Sequence, residues 1–256
     1  MNNIIKKLTF VLVLIVLLFP LIAAKDIVYI TKTGADSVLL NLINEKGYNV
    51  DVVNIGSIAS VNFSNYKMIL LGKESFTSTE AGKIPINSKN SVVLNTGSLK
   101  IWGWTSDGAS SITPSSPLTL PVWDKNSTIV RGIGEDFPSY INDGFSIGIY
   151  KVYYLSKFKT PAGMNSVVAD ALSFRILTQT YVIRNGAVIA NINPGTVLKN
   201  GKTSLARGVF IGIPNTNLWT SETKNIFKNS LNFSINGEDR DSDGFYSDFD
   251  CNDNNA

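Results

Sequence analysis

The stretch Lys25–Ile55, KDIVYITKTGADSVLLNLINEKGYNVDVVNI, decides the fold class that this sequence predicts. Lys25–Thr31 is polar at its edges and apolar within, which indicates a buried β-strand. Asn49–Ile55 predicts a second strand, and a helical pattern lies between the two. Strand–helix–strand with short connections is the βαβ signature of a parallel sheet. The sequence therefore predicts an α/β fold.

The helix between these strands carries both a start and a stop signal. Asp36 or Ser37 can cap its first turn, and Gly47 suits the position just after its last turn. Its apolar side chains fall on one face, at Val38, Leu39, Leu42 and Ile43. This pattern predicts an amphipathic helix that buries one face.

Two further strands are predicted before the chain becomes irregular. Met68–Leu71 and Ser91–Leu94 are short, continuous apolar runs, which suit strands covered on both faces. Lys100–Pro121 is rich in Gly, Ser, Thr and Pro, and its length predicts a long loop or lid.

The second half of the chain has stronger strand character. Residues 144–156 and 165–172 predict strands, and Asn185-Gly186 between two apolar runs predicts a type I′ hairpin. Gly208–Ile213 predicts a final buried strand. A closing helix follows, with Thr220 or Ser221 as its cap. Its predicted inward residues are Ile226, Phe227, Ser230, Leu231 and Phe233.

This order of elements resembles the class I glutamine amidotransferase-like, flavodoxin-like fold. It looks most like the trehalose-utilisation-protein-like branch, which occurs as modules in large exported proteins. The resemblance covers most of Lys25–Phe233. It is carried by IVYIT, ADSVLLNLINEKGYNVDVVNI, YKMILLG, SVVLNTGS and RGVFIGIPNTNLWTSETKNIFKNSLNF. It implies a three-layer sandwich with a mostly parallel sheet and a β-rich insertion.

The same resemblance implies a catalytic site that this chain does not complete. The family places a nucleophilic cysteine at a strand-to-helix elbow, backed by a histidine and an acid. The elbow falls at Leu94–Leu99, which offers Thr96 and Ser98, and the chain contains no histidine. A Ser98–Lys100 pair is an alternative to a plain polar loop. We therefore expect no catalytic residue and no organic cofactor in the body.

Residues 1–24 predict an export signal. Lys6 and Lys7 precede the apolar run Leu8–Ile22, and the small residues that end at Ala24 suit a signal peptidase. The alternative is an uncleaved N-terminal anchor, which would be the chain's only membrane contact. In either case the sequence predicts a secreted or cell-surface protein.

The charge distribution argues against nucleic acid as a partner. The formal net charge is +3, and the basic residues are scattered singly rather than clustered as a nucleic-acid footprint requires. The acidic residues are concentrated at the end of the chain. Glu238–Asp253 has seven acidic residues and one basic residue, Arg240, for a net charge of −6.

The segment Asp239–Asp250 matches the calcium-loop pattern D-x-[DN]-x-[DN]-G-x₅-[ED], with Gly244 at the turn. Carboxylates so close together repel one another, and a bound divalent cation offsets that repulsion. Because the donors are oxygens, a hard cation is favoured, and calcium is the expected ion. The expected ligands are Asp239, Asp241, Asp243, the Phe245 carbonyl and Asp250. The alternative is a solvated acidic tail.

The end of the chain, DRDSDGFYSDFDCNDNNA, also resembles the MopE-type metal-binding repeat of surface proteins and, more distantly, thrombospondin type 3 calcium repeats. That resemblance implies a further ligand at Asp253. It also implies that Cys251, the only cysteine, is a free thiol or half of a bridge that lies outside this chain. The absence of histidine disfavours the copper binding associated with the family's name.

These features predict an exported, non-catalytic adhesion or scaffolding module with a calcium-binding end. The body, Lys25–Phe233, would be joined to that end by a linker, Ser234–Glu238. Its partner would be a surface glycan or a protein, and Trp102 and Trp104 could stack on sugar rings. Alternatively, these two tryptophans pack the long loop against the sheet.

The competing prediction is an extracellular carbohydrate-active hydrolase. Glycoside hydrolysis needs only two suitably spaced carboxylic acids, so the missing histidine does not exclude it. The candidate acids in loops are Asp107, Glu135, Asp136 and Asp143.

Overall fold

The structure is a computed structural model that describes residues 25–113, 117–141, 151–156, 160–169, 172–176, 179–183 and 186–238. The predicted export signal, residues 1–24, and the predicted calcium loop, residues 239–256, lie outside the described residues. Asp143 and the first part of the predicted strand 144–156 lie outside them as well.

The body contains three α-helices and thirteen strands within these ranges. The helices are α1 Ser37–Glu45, α2 Ser78–Gly82 and α3 Ser221–Asn236. The strands are β1 Lys25–Thr31, β2 Val50–Asn54, β3 Tyr66–Leu71, β4 Asn90–Val93, β5 Ser110–Ile112, β6 Thr119–Pro121, β7 Asp136–Pro138, β8 Val152–Ser156, β9 Met164–Ala169, β10 Leu172–Ile176, β11 Gln179–Ile183, β12 Gly186–Ile192 and β13 Gly208–Ile211. None of the helices in the described ranges is long and apolar enough to cross a membrane.

One mixed sheet organises the molecule. Its strand order is β2-β1-β3-β4-β13-β12-β8-β5, and β9 also pairs with β12. Five neighbouring strands run parallel to one another, namely β2, β1, β3, β4 and β13. The other four strands, β12, β8, β9 and β5, make antiparallel pairs. The antiparallel strands all come from the segment between β4 and β13, so the predicted β-rich insertion extends the parallel sheet at one side.

Layers of chain cover both faces of the parallel strands. Along β1, Ile27 and Tyr29 are in the core shared with α1 and α3, whereas Val28 and Ile30 are in a second core on the opposite face. This second core includes the short helices around Ile58 and the two tryptophans of the long loop. Burial on both faces explains why these strands are continuous apolar runs. The predicted three-layer flavodoxin-like architecture is confirmed.

Both predicted amphipathic helices form with the caps that the sequence offers. Asp36 caps α1 and Thr220 caps α3. Gly47 follows α1 with a φ of 75°, a conformation that glycine adopts without steric cost. However, α3 continues to Asn236 and buries Ser234 and Ile235, so most of the predicted linker is the last turn of a helix.

Asn185 of the predicted hairpin lies outside the described residues, and the strands on either side of it belong to different sheets. The strand before it, β11, pairs with β10, and the strand after it, β12, lies in the main sheet beside β13, β8 and β9. A two-residue turn signal is local, whereas β12 is buried along its whole length and gains more by joining the central sheet.

The predicted long loop, Lys100–Pro121, is only partly irregular. It contributes β5 to the edge of the main sheet and β6 to a two-stranded sheet with β7. Its first residues pack into the second core through Trp102 and Trp104. This part of the segment is therefore a covering layer of the fold.

Candidate functional site

The chain reverses its winding direction between β1 and β3. From β1 the chain crosses to β2 on one side, and it then returns to β3 on the other side. In open α/β sheets, ligands bind at such a switch point, outside the carboxyl ends of the strands. A cleft of about 320 Å³ lies there, lined by residues that follow β1 and β3, including Thr33, Asp36, Lys73 and Glu74. We call it the carboxyl-edge cleft.

Glu74 joins the two loops that form this cleft. Its carboxylate accepts hydrogen bonds from the backbone N–H groups of Lys32, at 2.5 Å, and Thr33, at 2.7 Å. It also accepts a hydrogen bond from the Thr33 hydroxyl. Because both carboxylate oxygens are engaged by the loop after β1, Glu74 holds the loops together and is not a free base.

Asp36 occupies the other wall of the cleft and serves the helix. One carboxylate oxygen accepts from the N–H groups of Val38, at 2.9 Å, and Leu39, at 3.4 Å. The other accepts from the Thr216 hydroxyl at 2.6 Å. The amino terminus of a helix usually attracts anions. Here a carboxylate of the protein already occupies that position, which disfavours a phosphate in the cleft.

Tyr29 lines the same cleft from β1. Its hydroxyl accepts a hydrogen bond from the Asp36 N–H at 3.2 Å. Burial raises the pKa of the Tyr29 phenol to about 12. A side chain at Gly72 would place its Cβ 2.7 Å from the Tyr29 hydroxyl, so glycine at this position lets the ring lie across the end of β3. A neutral phenol and two engaged carboxylates therefore line this cleft.

The elbow after β4 has a structural hydrogen-bond network. Asn95 is fully buried, and its amide nitrogen donates to the Glu74 carbonyl. Its amide oxygen accepts from the Ser98 N–H at 2.9 Å. The polar side chain that follows the central strand thus closes the turn and ties it to the loop after β3.

The possible Ser98–Lys100 pair does not form. Ser98 is fully buried, and its hydroxyl has no hydrogen-bond partner among the described residues. Lys100 is exposed two residues further on. A serine nucleophile needs a base within hydrogen-bond distance, so this serine lacks the arrangement that catalysis requires.

The structure places Trp102 and Trp104 in the protein interior, at 4% and 1% exposure. The indole N–H of Trp102 donates to the Ala81 carbonyl at 3.0 Å. That of Trp104 donates to the Asn87 side chain at 2.8 Å. The prediction of an exposed pair of rings for sugar stacking is therefore wrong, and the alternative of packing against the sheet describes their position.

The three candidate hydrolase acids within the described ranges, Asp107, Glu135 and Asp136, are all exposed. The Glu135 carboxylate accepts a hydrogen bond from the Lys125 ammonium, with 2.6 Å between Nζ and Oε1, and this contact lowers the pKa of the Glu135 carboxyl. A general acid requires the opposite shift, since it must hold its proton near neutral pH. Glu135 is thus poorly suited to that role.

No group of three or more histidine, cysteine or acidic residues in the described part of the chain could hold a metal ion. The six predicted calcium ligands, Asp239, Asp241, Asp243, Phe245, Asp250 and Asp253, are outside it. Glu74 and Asn95 match no motif, although both closely follow predicted strands. The one sequence signal that could have identified these two residues is their position just after a strand, where the residues of a ligand site usually lie in this kind of sheet.

Solved structures share this fold. A ThuA-like protein from Bacteroides uniformis superimposes with a TM-score of 0.50 at 9% identity, over 84% of this chain and 93% of that chain. A GMP synthase component from Thermoplasma acidophilum gives a TM-score of 0.47 at 11% identity, over 82% of this chain and 94% of that one. No protein-family model and no curated protein matches the sequence. The body has a flavodoxin-like α/β fold, and at this identity the likeness to these structures concerns the fold alone.

Proposed function

We propose that this chain is an exported, non-catalytic binding module of the cell surface whose C-terminal segment binds calcium. The observation that carries the proposal is the hydrogen bonding of the elbow after β4, where a buried asparagine ties neighbouring backbone groups together. The elbow offers no cysteine, and its buried Asn95 donates to the Glu74 carbonyl and accepts from the Ser98 N–H. The chain contains no histidine to activate any hydroxyl.

The carboxyl-edge cleft supports a non-catalytic role in the same way. Asp36 and Glu74 accept hydrogen bonds from backbone N–H groups that the fold would otherwise leave without partners. Their lone pairs are committed to the loops, so they contribute to stability rather than to proton transfer. The exposed acids Glu135 and Asp136 lie elsewhere, on and beside the short strand β7.

The calcium assignment rests on the spacing of the acidic residues from Asp239 to Asp250. The described body offers no competing cluster of acidic side chains. Uptake of one calcium ion by the mature chain would therefore point to the acidic segment. Glu238, which precedes the acidic segment, lies two residues after Asn236, the last residue of α3.

Calorimetric titration with calcium tests this part of the proposal. The mature chain, residues 25–256, should bind calcium, and the double variant Asp241→Asn/Asp243→Asn should lose that binding because two ligand charges are removed. The matched control is Asp136→Asn, an exposed acid of the body, which should bind as the unaltered chain does. Equal uptake by the double variant and the unaltered chain would refute the assignment.

The non-catalytic role is tested by release of reducing sugar ends from a panel of extracellular polysaccharides. We expect none above the level of a heat-denatured sample. Release that disappears in Glu135→Gln or Asp136→Asn would instead establish the hydrolase alternative. Glutamine hydrolysis, followed as ammonia release, should be absent as well, because the elbow has no cysteine and the chain has no histidine.

A further inference from the structure

A second polar cavity, of about 490 Å³, lies at the opposite end of the sheet from the carboxyl-edge cleft. β12 runs antiparallel to β13, so the end of β12 meets the start of β13 at the amino ends of the parallel strands. The cavity opens beside that point. We call it the amino-edge cavity, and its lining includes Asn126, Asn165, Asn191, Asn193, Asp124 and Glu238.

Two strands bring its asparagines together. Asn165 of β9 is directly opposite Asn191 of β12, so the two side chains are cross-strand neighbours on one face. Asn191 is only 5% exposed, and its amide nitrogen donates to the Asn193 side chain at 3.2 Å. Asparagine is depleted in strands, and burial of an amide is costly unless it has partners. Asn193 satisfies part of the hydrogen-bonding capacity of the buried Asn191, and the exposed Asn165 beside it offers its amide to a ligand in the cavity.

The two carboxylates of the cavity are held by contacts within the protein. The Asp124 carboxylate accepts from the Asn126 N–H at 3.3 Å, and the backbone N–H groups of Trp123 and Asp124 both donate to the Val167 carbonyl of β9. Glu238, at the end of α3, accepts from the Thr128 N–H at 3.0 Å. The walls of the cavity are thus formed without any ligand, as is usual for small-molecule sites.

The lining chemistry selects the class of ligand. Two carboxylates and no basic side chain among the described lining residues disfavour an anion. A bare cation is disfavoured as well, because no three acidic groups converge in the described chain. Asparagine amides donate and accept hydrogen bonds, as sugar hydroxyls do, and a carboxylate can accept from two neighbouring hydroxyls. The volume is within the range of about 300–1,000 Å³ typical of small-molecule sites.

We propose that the amino-edge cavity binds a neutral sugar unit through Asn165, Asn191 and Asp124. This rests on and deepens the proposed function, because it names the ligand class of the binding module. It also places that ligand at the edge of the sheet opposite the one where this fold usually holds its ligands.

Saturation-transfer NMR and calorimetry with D-glucose, D-galactose, D-mannose and N-acetyl-D-glucosamine test the inference on the mature chain. At least one sugar should bind, and Asn165→Ala should weaken it about tenfold, as expected for the loss of a hydrogen bond to a ligand. Asn165 is exposed, so this variant should fold. Asn191→Leu should lower the sugar affinity further. The control Asn41→Ala, on the exposed surface of α1, should leave the affinity unchanged.

Four results would overturn the inference, the first three of which concern the sugars. They are binding of none of the four sugars, an affinity that survives Asn165→Ala and Asn191→Leu in folded protein, and an affinity that is lost in Asn217→Ala, which lies in the carboxyl-edge cleft. The fourth result is calcium or inorganic phosphate binding that disappears in Asn165→Ala. If the sugar-binding test fails but the chain still binds calcium, the proposed function is not refuted. A sugar polymer that binds at this cavity and is cleaved would refute only the non-catalytic role.

Discussion

The two edges of the parallel sheet use their polar residues differently. At the carboxyl edge, Glu74, Asp36 and Asn95 bond to backbone groups of neighbouring loops. At the amino edge, Asn165 and Asn191 face each other across two strands and line an open cavity. Side chains line a cavity at both edges, but the carboxylates of the carboxyl edge are engaged by backbone N–H groups, whereas the exposed amide of Asn165 at the amino edge is available to a ligand.

This difference changes where function is sought in the molecule. Fold alone directs attention to the switch point at the carboxyl edge, where flavodoxin-like proteins hold ligands. In this chain the loops there are tied together by the side chains that would otherwise contact a ligand. The comparison predicts that substitutions at the carboxyl edge reduce stability, and that substitutions at the amino edge reduce binding.

The largest expected effect is that of Asn95→Ala at the elbow. It leaves the buried Ser98 N–H and the Glu74 carbonyl without partners, which should lower the free energy of unfolding by about 2–4 kcal/mol. Urea denaturation measures this change. The matched control is Asn217→Ala, at an exposed position of the same edge, which should change stability by no more than about 0.5 kcal/mol. Equal effects of the two variants would contradict a structural elbow.

High pH should act on the carboxyl edge through Tyr29. The folded pKa of Tyr29, about 12, lies above the ordinary value of 10.0 because burial disfavours the phenolate. The stability that the neutral phenol contributes is complete below pH 10 and is lost as pH rises through the folded pKa. In a spectrophotometric pH titration, the difference in phenolate absorbance between the unaltered chain and Tyr29→Phe should therefore appear near pH 12 rather than near pH 10.

Tyr140 must be separated from this signal, since burial also raises its pKa. Subtraction of the Tyr29→Phe titration removes the contribution that Tyr140 makes to both proteins. A difference signal centred on the ordinary tyrosine pKa would show that Tyr29 is open to solvent and that the carboxyl edge is looser than described.

A smaller loss of stability is expected from Glu74→Gln. Glutamine keeps one acceptor oxygen, but its amide NH₂ group would face the backbone N–H of Lys32 or Thr33. Because both groups are donors, no hydrogen bond forms between them. The free energy of unfolding should fall by about 1–2 kcal/mol. The control is Glu45→Gln, an exposed partner of Lys228 at 3.6 Å, where the loss should stay within about 0.5 kcal/mol. If both variants unfold at the same urea concentration, Glu74 does not hold the loops.

The smallest effect on stability should come from Asn165→Ala at the amino edge. The side chain is exposed, so the free energy of unfolding should change by no more than about 0.5 kcal/mol. Sugar affinity should nevertheless fall, which separates a binding residue from a structural one. A large loss of stability in this variant would place Asn165 with the structural residues and remove the contrast between the edges.

The sequence allowed much of the parallel half to be predicted, because its signals are local. Asp36 lies in the short loop between the end of β1 at Thr31 and the helix that it caps. Asn95 could be placed after a strand in the same way. Its partner, the Glu74 carbonyl, is 21 residues earlier in the chain and became a neighbour only through the pairing of β3 with β4.

The insertion was predicted less well, because its pairings depend on competition between distant strands. Asn185-Gly186 is a strong turn signal, yet β12 pairs with strands on both sides of it rather than with β11. The tryptophans of the long loop were equally ambiguous, since a sequence does not state which aromatic rings find a core. Asn165 and Asn191 carry no motif, so the amino-edge cavity could not be predicted.

By itself, the sequence determined the α/β class, the βαβ start, the caps of α1 and α3, the absence of histidine and of a cysteine at the elbow, and the regular spacing of the aspartates from Asp239 to Asp250. All of these depend on residue identity or on spacing within a few turns of chain. Only the tertiary structure decided that Trp102 and Trp104 are core residues, that Asn95 and Glu74 are structural, and that Asn165 meets Asn191. The physical reason is that strand pairing and burial join residues far apart in the chain, and no local pattern records which partners they meet.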